Sequence, residues 1–311
     1  MSVKELSLNN KVKKKYLKFI ESQEILSEPF RDKLGQLNNF YLPLSEFIFK
    51  NYSKNKKTKI IGLTGGQGSG KSTISNILKI LLKEAYGLNT VIFSIDDFYK
   101  TYKERKKMSE KVSPLFLTRG VPGTHDIQLM INLFRKVKKN TFRSISIPKF
   151  DKSIDDRYKK NSWFKLKKKP DILILEGWCV GAKPENKKSL NRPMNILEKN
   201  ADKKKIWRSY VNNQLKLKYS KLFDQLDSLL YLKAKNFKLL KRWRLKQEKK
   251  LKMKSGNKKN SKIMNEKEVE TFMMTYQRIT QNMFKNTPKY SSAVIDLNEN
   301  HQIKKVKFKH V

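Results

Sequence analysis

The spacing of apolar positions changes once along the chain. Up to residue 57 they recur at near-helical intervals, at Tyr16, Phe19, Ile20 and Ile25 and then at Tyr41, Leu42, Leu44, Phe47 and Ile48, which predicts an N-terminal helical extension. From Lys59 short apolar runs alternate with amphipathic stretches. Lys59 to Thr64 reads as a strand, Lys71 to Tyr86 as a helix closed by Gly87, and Thr90 to Ile95 as a second strand, together a βαβ unit. Asp126 to Val137 predicts a further helix with Thr124 as its cap, and Ser144 to Ile147 a third, short strand. Asp171 to Leu175 is apolar after its first residue, as befits a strand buried on both faces of a parallel sheet. Leu229 to Leu232 and Ala293 to Leu297 read as two more strands. Helices are expected at Trp207 to Leu222, Phe237 to Lys252 and Glu266 to Phe284, the last opened by the capping box Asn265-x-x-Glu268. The alternation implies an α/β fold: a mostly parallel sheet with helices on both faces, ligands at the carboxyl ends of its strands, and the helical extension 1–57 preceding a domain 58–311.

Between the first strand and its helix stands Gly65-Gly66-Gln67-Gly68-Ser69-Gly70-Lys71-Ser72, which satisfies G-x-x-x-x-G-K-[ST] in the context that this pattern requires. The glycines let the backbone wrap phosphates with successive N–H groups pointing inward, and the helix N-terminus adds favourable partial charge. Lys71 suits the β/γ oxygens of ATP, the Ser72 hydroxyl suits Mg²⁺, and Thr73 continues the nucleotide-binding run. The expected chemistry is therefore phosphoryl transfer from ATP.

Other carboxylates stand at strand ends. The second strand runs into Ser94-Ile95-Asp96-Asp97-Phe98-Tyr99, where Asp96 is expected to act as the base that takes a proton from an acceptor hydroxyl and to share in Mg²⁺ binding. Alternation places Asp96 on the face of Ser94 and Asp97 on the other, although a strand ending at Ile95 would free both. Glu176, after the apolar run 172–175, is positioned to hold Mg²⁺ through water or to contact substrate. Arg119-Gly120-Val121-Pro122-Gly123-Thr124-His125-Asp126 concentrates a cation, a histidine and an acid in a loop entering a helix, denser than a plain connector. Pro148-Lys149-Phe150-Asp151-Lys152 alternates cations with an acid where an anionic acceptor can sit. Arg242, Trp243, Arg244, Gln247 and Glu248 suit a lid over phosphates, about 241–262, with a solvated basic helix face as the competing reading. The lysine-rich stretch Lys249 to Lys262, with Ser255, Gly256 and Asn257 at its middle, is expected to be mobile.

Composition adds two points. The lone Cys179 cannot form an internal disulfide, follows an apolar run, and reads as a small, half-buried side chain. With no long apolar span and no leader pattern at its start, the chain is expected to be soluble and cytoplasmic, with no membrane partner. The net charge of +43 points first to nucleic acid, but the 71 basic residues are overwhelmingly lysines spread through nearly every polar stretch. That texture favours a solvated lysine surface with at most weak, non-specific polyanion binding.

Taken together, the P-loop, Ser-Ile-Asp-Asp-Phe-Tyr, Arg-Gly-x-Pro-Gly-Thr-His-Asp, Pro-Lys-Phe-Asp-Lys-Ser, Leu-Glu-Gly-Trp and Trp-Arg-Leu-x-Gln-Glu resemble, in that order, the P-loop D-glycerate 3-kinase family over about residues 58 to 300. That family is similar in turn to the uridine kinase, phosphoribulokinase and pantothenate kinase group. The resemblance implies ATP-dependent phosphorylation of D-glycerate to 3-phosphoglycerate, a photorespiratory step where that pathway exists. It implies Asp96 as the acid that activates the acceptor hydroxyl and Lys71 and Ser72 as nucleotide and Mg²⁺ residues. Asp97, Tyr99, Arg119, His125, Lys149, Asp151 and Glu176 fall in motifs flanking the acceptor pocket, and Arg244 in the nucleotide lid. The chain departs from the pattern at Ala234-Lys235-Asn236-Phe237, where the second place is commonly proline. Competing readings are a kinase of uridine or pantothenate, against which the Arg119 to Asp126 motif argues, and a nucleic-acid-binding P-loop ATPase.

The charge distribution makes its own forecast: any RNA or DNA binding should be indifferent to sequence and fade steeply between low and physiological salt. Fluorescence anisotropy at two salt concentrations checks this, and tight, sequence-selective binding that persists at high salt would contradict it.

Overall fold

A computed structural model describes residues 10–24, 30–139, 141–255 and 264–309. Ile25 of the first helical pattern, and Gly256, Asn257 and the rest of the lysine-rich stretch through Lys262, lie outside the described residues.

The elements run α1 (Asn10–Gln23), then α2, whose segments Lys33–Gln36 and Leu42–Ser53 are joined by a π turn, Leu37–Tyr41. Next come β1 (Lys59–Gly65), α3 (Lys71–Tyr86), β2 (Thr90–Ser94), α4 (Tyr102–Lys111) and α5 (Ile127–Lys138). Four short strands follow, β3 (Ile145–Ile147), β4 (Phe150–Asp151), β5 (Asp156–Arg157) and β6 (Phe164–Leu166), and then β7 (Ile172–Gly177). The remainder is α6 (Ile196–Ala201), α7 (Ile206–Gln214, continued by a π turn Leu215–Tyr219 and Ser220–Phe223), β8 (Ser228–Lys233), α8 (Phe237–Ser255), α9 (Glu266–Tyr290), β9 (Ala293–Leu297) and β10 (Ile303–Phe308).

The central sheet has the order β10-β9-β8-β1-β7-β2, parallel throughout except for β10. Side-chain alternation sends Ile61, Leu63, Ile172 and Ile174 to one face and Ile60, Leu173 and Leu175 to the other. The first face is covered by α3, α8 and the N-terminal helices, whose Val12, Tyr16, Ile20, Leu37 and Leu42 are fully or almost fully buried in the same apolar cluster as the β1 residues. The second face is covered by α5 and α7.

Three local expectations are corrected. The cap of α5 is Asp126, whose carboxylate accepts from Leu129 N, while the Thr124 hydroxyl donates to the Val121 carbonyl and accepts from Gly120 N, bracing the preceding loop. The strand at Ile145–Ile147 pairs antiparallel with Phe164–Leu166 in a small separate sheet and does not join the central one. Helix α9 continues past Phe284 and through Pro288 to Tyr290. The capping box of Asn265 and Glu268 is present as read.

Candidate active site

The loop between β1 and α3 is shaped by Gly68 and Gly70, at φ +76° and +83°, a backbone region that a side chain makes costly. Lys71 folds back over this loop, its Nζ donating to the carbonyls of Gly65 and Gly66 at 3.0 Å each. Burial pulls its pKa below the ordinary value against the opposing pull of Glu176 and Asp96. Ser72 donates its hydroxyl to both carboxylate oxygens of Glu176, at 2.9 and 3.0 Å.

Strand register explains why Glu176 is there. It lies opposite Leu63 of β1 on one side and Ser94 of β2 on the other, at the carboxyl ends of all three strands. Burial raises its pKa, while Lys71 and the Ser72 hydroxyl oppose the rise. A Cβ on the next residue, Gly177, would come within 2.5 Å of the Ile95 side chain, so glycine lets the turn after β2 lie directly against the end of β7. That turn is a 3₁₀ segment, Ile95–Phe98, so strand alternation does not govern the two aspartates.

Asp96 and Asp97 nonetheless face different surroundings. Asp96 accepts from the Tyr99 hydroxyl at 2.9 Å and from Lys152 Nζ at 2.9 Å. Burial pushes its carboxyl up, but Lys152, His125 and these hydrogen bonds outweigh that and hold it below the usual range. Asp97 accepts only a long 3.4 Å bond from Phe150 N among the bonds described, and burial raises its pKa. One carboxylate is thus kept ionised beside the P-loop lysine, and its neighbour is biased toward the proton.

The Arg119–Asp126 loop is brought to the same edge. His125 is buried, stacks on Tyr99 with ring centroids 4.5 Å apart, and has its pKa lowered to about 4 by burial, so it is neutral at physiological pH. Its Nδ1 is 2.6 Å from the Tyr219 hydroxyl, which accepts from Gly123 N at 3.0 Å. One hydrogen is shared between that hydroxyl and Nδ1, and the ring's Nε2 is a buried atom without a hydrogen-bond partner among the described residues. Arg119 is ion-paired with Asp155, which also holds the fully buried Arg105, and its guanidinium lies 5.3 Å from the Phe150 ring centre.

Not every expected residue converges. Asp151 is spent on a local turn, accepting from the Ser153 N–H and hydroxyl. Lys149 lies over the Tyr158 ring and acts on Asp97, lowering its pKa slightly against burial. Thr73 is in the first turn of α3. The Arg244 guanidinium engages Gln247 and Glu248, while its backbone lies against Gly68. Trp243 beside it is 2% exposed and packed against the P-loop, while Arg242 and Gln247 face solvent. Cys179 is fully buried and burial pushes its thiol pKa up, which leaves it unreactive.

Two residues of the site carry no assigned role in the sequence: Lys152, one lysine among many in its motif, and Tyr276, whose helix segment Tyr276-Gln277-Arg278-Ile279-Thr280 also matches the family pattern but names no contact. The Tyr276 hydroxyl lies against Gly120, its ring packs edge-on to Trp178 at 4.6 Å, and its pKa is raised by burial first and by Asp96 next.

A model described as the phosphoribulokinase / uridine kinase family matches residues 60–184. The chain is 33% identical over 239 residues to the Schizosaccharomyces pombe protein described as uncharacterized kinase mug58, covering 74% of this chain and 83% of that one. The chain belongs to the phosphoribulokinase / uridine kinase family. It is therefore a P-loop kinase, an ATP-dependent phosphotransferase. It is also 26% identical over 197 residues to a chloroplastic D-glycerate 3-kinase of Arabidopsis thaliana, covering 61% of this chain and 41% of that protein. In fold it is similar to a solved D-glycerate 3-kinase from Cryptococcus neoformans, with TM-score 0.72, 22% identity, and 86% of this chain and 99% of the other covered. Among the described residues no helix is long and apolar enough to cross a membrane.

For a kinase of this family the two aspartates should separate kinetically. If Asp96 is the base for the acceptor hydroxyl, Asp96→Asn, which keeps size and much of the hydrogen bonding, should lower kcat by ~10² to 10⁴ with a smaller change in ATP affinity, and Asp97→Asn should cost less. Lys71→Ala should abolish turnover in a folded protein. Steady-state kinetics on all three variants checks the ordering, and collapse in the Asp97 variant with near-normal kcat in the Asp96 variant would reverse the assignment.

Proposed function

We infer that this chain phosphorylates D-glycerate to 3-phosphoglycerate at the expense of ATP. The observation that carries the reading is the setting of Asp96: an ionised carboxylate between the Tyr99 hydroxyl and the Lys152 ammonium, on the same sheet edge as Lys71 and Glu176. A carboxylate in that place suits removal of a proton from an attacking hydroxyl. Around it, Lys152, Arg119 and the unpartnered Nε2 of His125 suit a small anionic acceptor, and Asp155 holds Arg119 in one orientation. The similarity to a D-glycerate 3-kinase of Arabidopsis thaliana supports glycerate as that anion.

In this reading Gly65 through Gly70 and Lys71 hold the β and γ phosphates, with Arg244 over them. Mg²⁺ fits the donor set. Ser72 and Glu176, whose hard oxygen atoms lie side by side, would hold the ion. When bound, the ion supplies positive charge to the phosphate oxygens. Asp96 takes the acceptor proton and adds to ion binding, and Tyr99 and Lys152 keep its carboxylate ionised and aimed. Arg119 and His125 orient the acceptor, and the Asp97, Lys149 and Asp151 segments shape its pocket. The work of the protein is positioning and charge neutralisation, since phosphoryl transfer needs little covalent assistance. Residues 58–311 form the kinase domain, to which the helices of 1–57 contribute core. The surplus lysines bind nucleic acid at most weakly.

ADP release with D-glycerate, L-glycerate, uridine and pantothenate as acceptors tests the reading. D-Glycerate should exceed the nucleoside and pantothenate in kcat/KM by about 100-fold or more. Faster turnover of uridine or pantothenate, or ATP hydrolysis stimulated by RNA with no acceptor consumed, would overturn it.

A further inference from the structure

We propose that His301, outside every motif discussed above, is a positioning residue for the P-loop. It sits in the turn between β9 and β10, and its Nε2 lies 2.8 Å from the carbonyl oxygen of Gly68. A carbonyl only accepts, so the ring donates from Nε2. The same ring stacks on Trp243 of α8, with centroids 4.2 Å apart and planes inclined by 28°. The Trp243 indole N–H in turn donates to the Glu299 carbonyl of the same turn at 2.9 Å. Turn, helix and P-loop are therefore joined by two hydrogen bonds and a stacked pair.

The turn is built to hold the ring in that place. His301 is at φ +63°, a left-handed conformation that carries a cost for a residue with a Cβ and persists where the surroundings enforce it. The Asn298 side-chain oxygen accepts from Asn300 N and Gln302 N, and the Asn298 carbonyl accepts from His301 N. On the far side Gln36 of α2 makes a reciprocal buried pair with Ile303, donating to its carbonyl and accepting its N–H at 2.9 Å each. Contacts thus run from the N-terminal extension through the turn to the nucleotide loop.

The consequence for the loop follows from peptide geometry. The Gly68 carbonyl and the Ser69 N–H belong to one planar unit, and the Ser69 N–H donates to the Gly66 carbonyl at 3.2 Å. With both ends held, the unit cannot flip, which restrains ψ of Gly68 and φ of Ser69 beside a glycine that stands at φ +76° and is free by itself to take either sign. A loop rich in glycine has many conformations, and apparent affinity falls with the fraction that is competent to bind. His301 raises that fraction. The role concerns ATP binding and is independent of which acceptor the kinase uses.

His301→Phe keeps a flat ring for Trp243 and removes the donor, whereas His301→Gln places an amide N–H at similar reach. For His301→Phe the dissociation constant of a fluorescent ATP analogue and the KM for ATP should both rise about three- to tenfold, the loss expected of one hydrogen bond. Its kcat at saturating ATP should change by less than about twofold. Hydrogen exchange in peptides covering residues 65–70 should quicken in the Phe variant and stay nearer to wild type in the Gln variant. Unchanged nucleotide affinity and exchange in His301→Phe, or a Gln variant impaired as much as Phe, would overturn the proposal. Should His301→Phe fail to fold, Gln36→Leu loosens the same turn from its other side, and it must quicken exchange at 65–70 for the proposal to stand.

Discussion

Everything at this site depends on gathering opposite charges where water is scarce. Lys71 and Glu176 meet at the carboxyl ends of β1 and β7, and Asp96 joins them because Gly177 admits the turn after β2. Burying a charge is costly unless it is paired or hydrogen-bonded: Lys71 donates to the Gly65 and Gly66 carbonyls, Glu176 accepts from Ser72, and Asp96 accepts from Tyr99 and Lys152. The balance differs from group to group. Burial dominates at Lys71 and Glu176 and moves their pKa values toward each other, while Lys152 and Tyr99 keep Asp96 ionised. A phosphoryl-transfer site needs that mixture, with positive charge for phosphate, a hard carboxylate for a metal ion and a carboxylate able to accept a proton.

The fold serves this gathering through its topology. Parallel strands end on one edge, and β1, β7 and β2 are neighbours, so the P-loop, Glu176 and the aspartate turn come from separate chain segments to one place. The N-terminal helices are built into the core on one face, where Tyr16, Ile20 and Leu42 pack in the same apolar cluster as Ile61 and Leu63. They are thereby part of what holds the sheet, and through Gln36 and the β9–β10 turn they reach the phosphate loop itself.

Much of this was legible in the sequence because the relevant signals are local. The glycine spacing of the P-loop, the apolar runs of β1 and β7 and the amphipathic period of α3 each state their structure within one window of residues. What stayed hidden depends on partners far along the chain. Strand β10 carries Lys304, Lys305 and Lys307, suited to an exposed antiparallel edge, and so lacks the apolar run that marked the others. The three-residue strand β3 gave no sign that it pairs with β6, or that it stands apart from the main sheet. Alternation failed for Asp96 and Asp97 because the strand stops at Ser94, and their difference comes from Lys152 and Phe150, more than 50 positions away. Tyr276 and His301 are placed by tertiary contact alone.

The central claim is that Asp96 faces the acceptor hydroxyl across from the nucleotide held by Lys71. It is tested most directly by a crystal structure with a non-hydrolysable ATP analogue, Mg²⁺ and D-glycerate. The account predicts Lys71 Nζ transferred from the Gly65 and Gly66 carbonyls to phosphate oxygens, and the glycerate hydroxyl within about 3.2 Å of the Asp96 carboxylate. A hydroxyl bound to Asp97 instead, or glycerate seated away from both carboxylates, would contradict it.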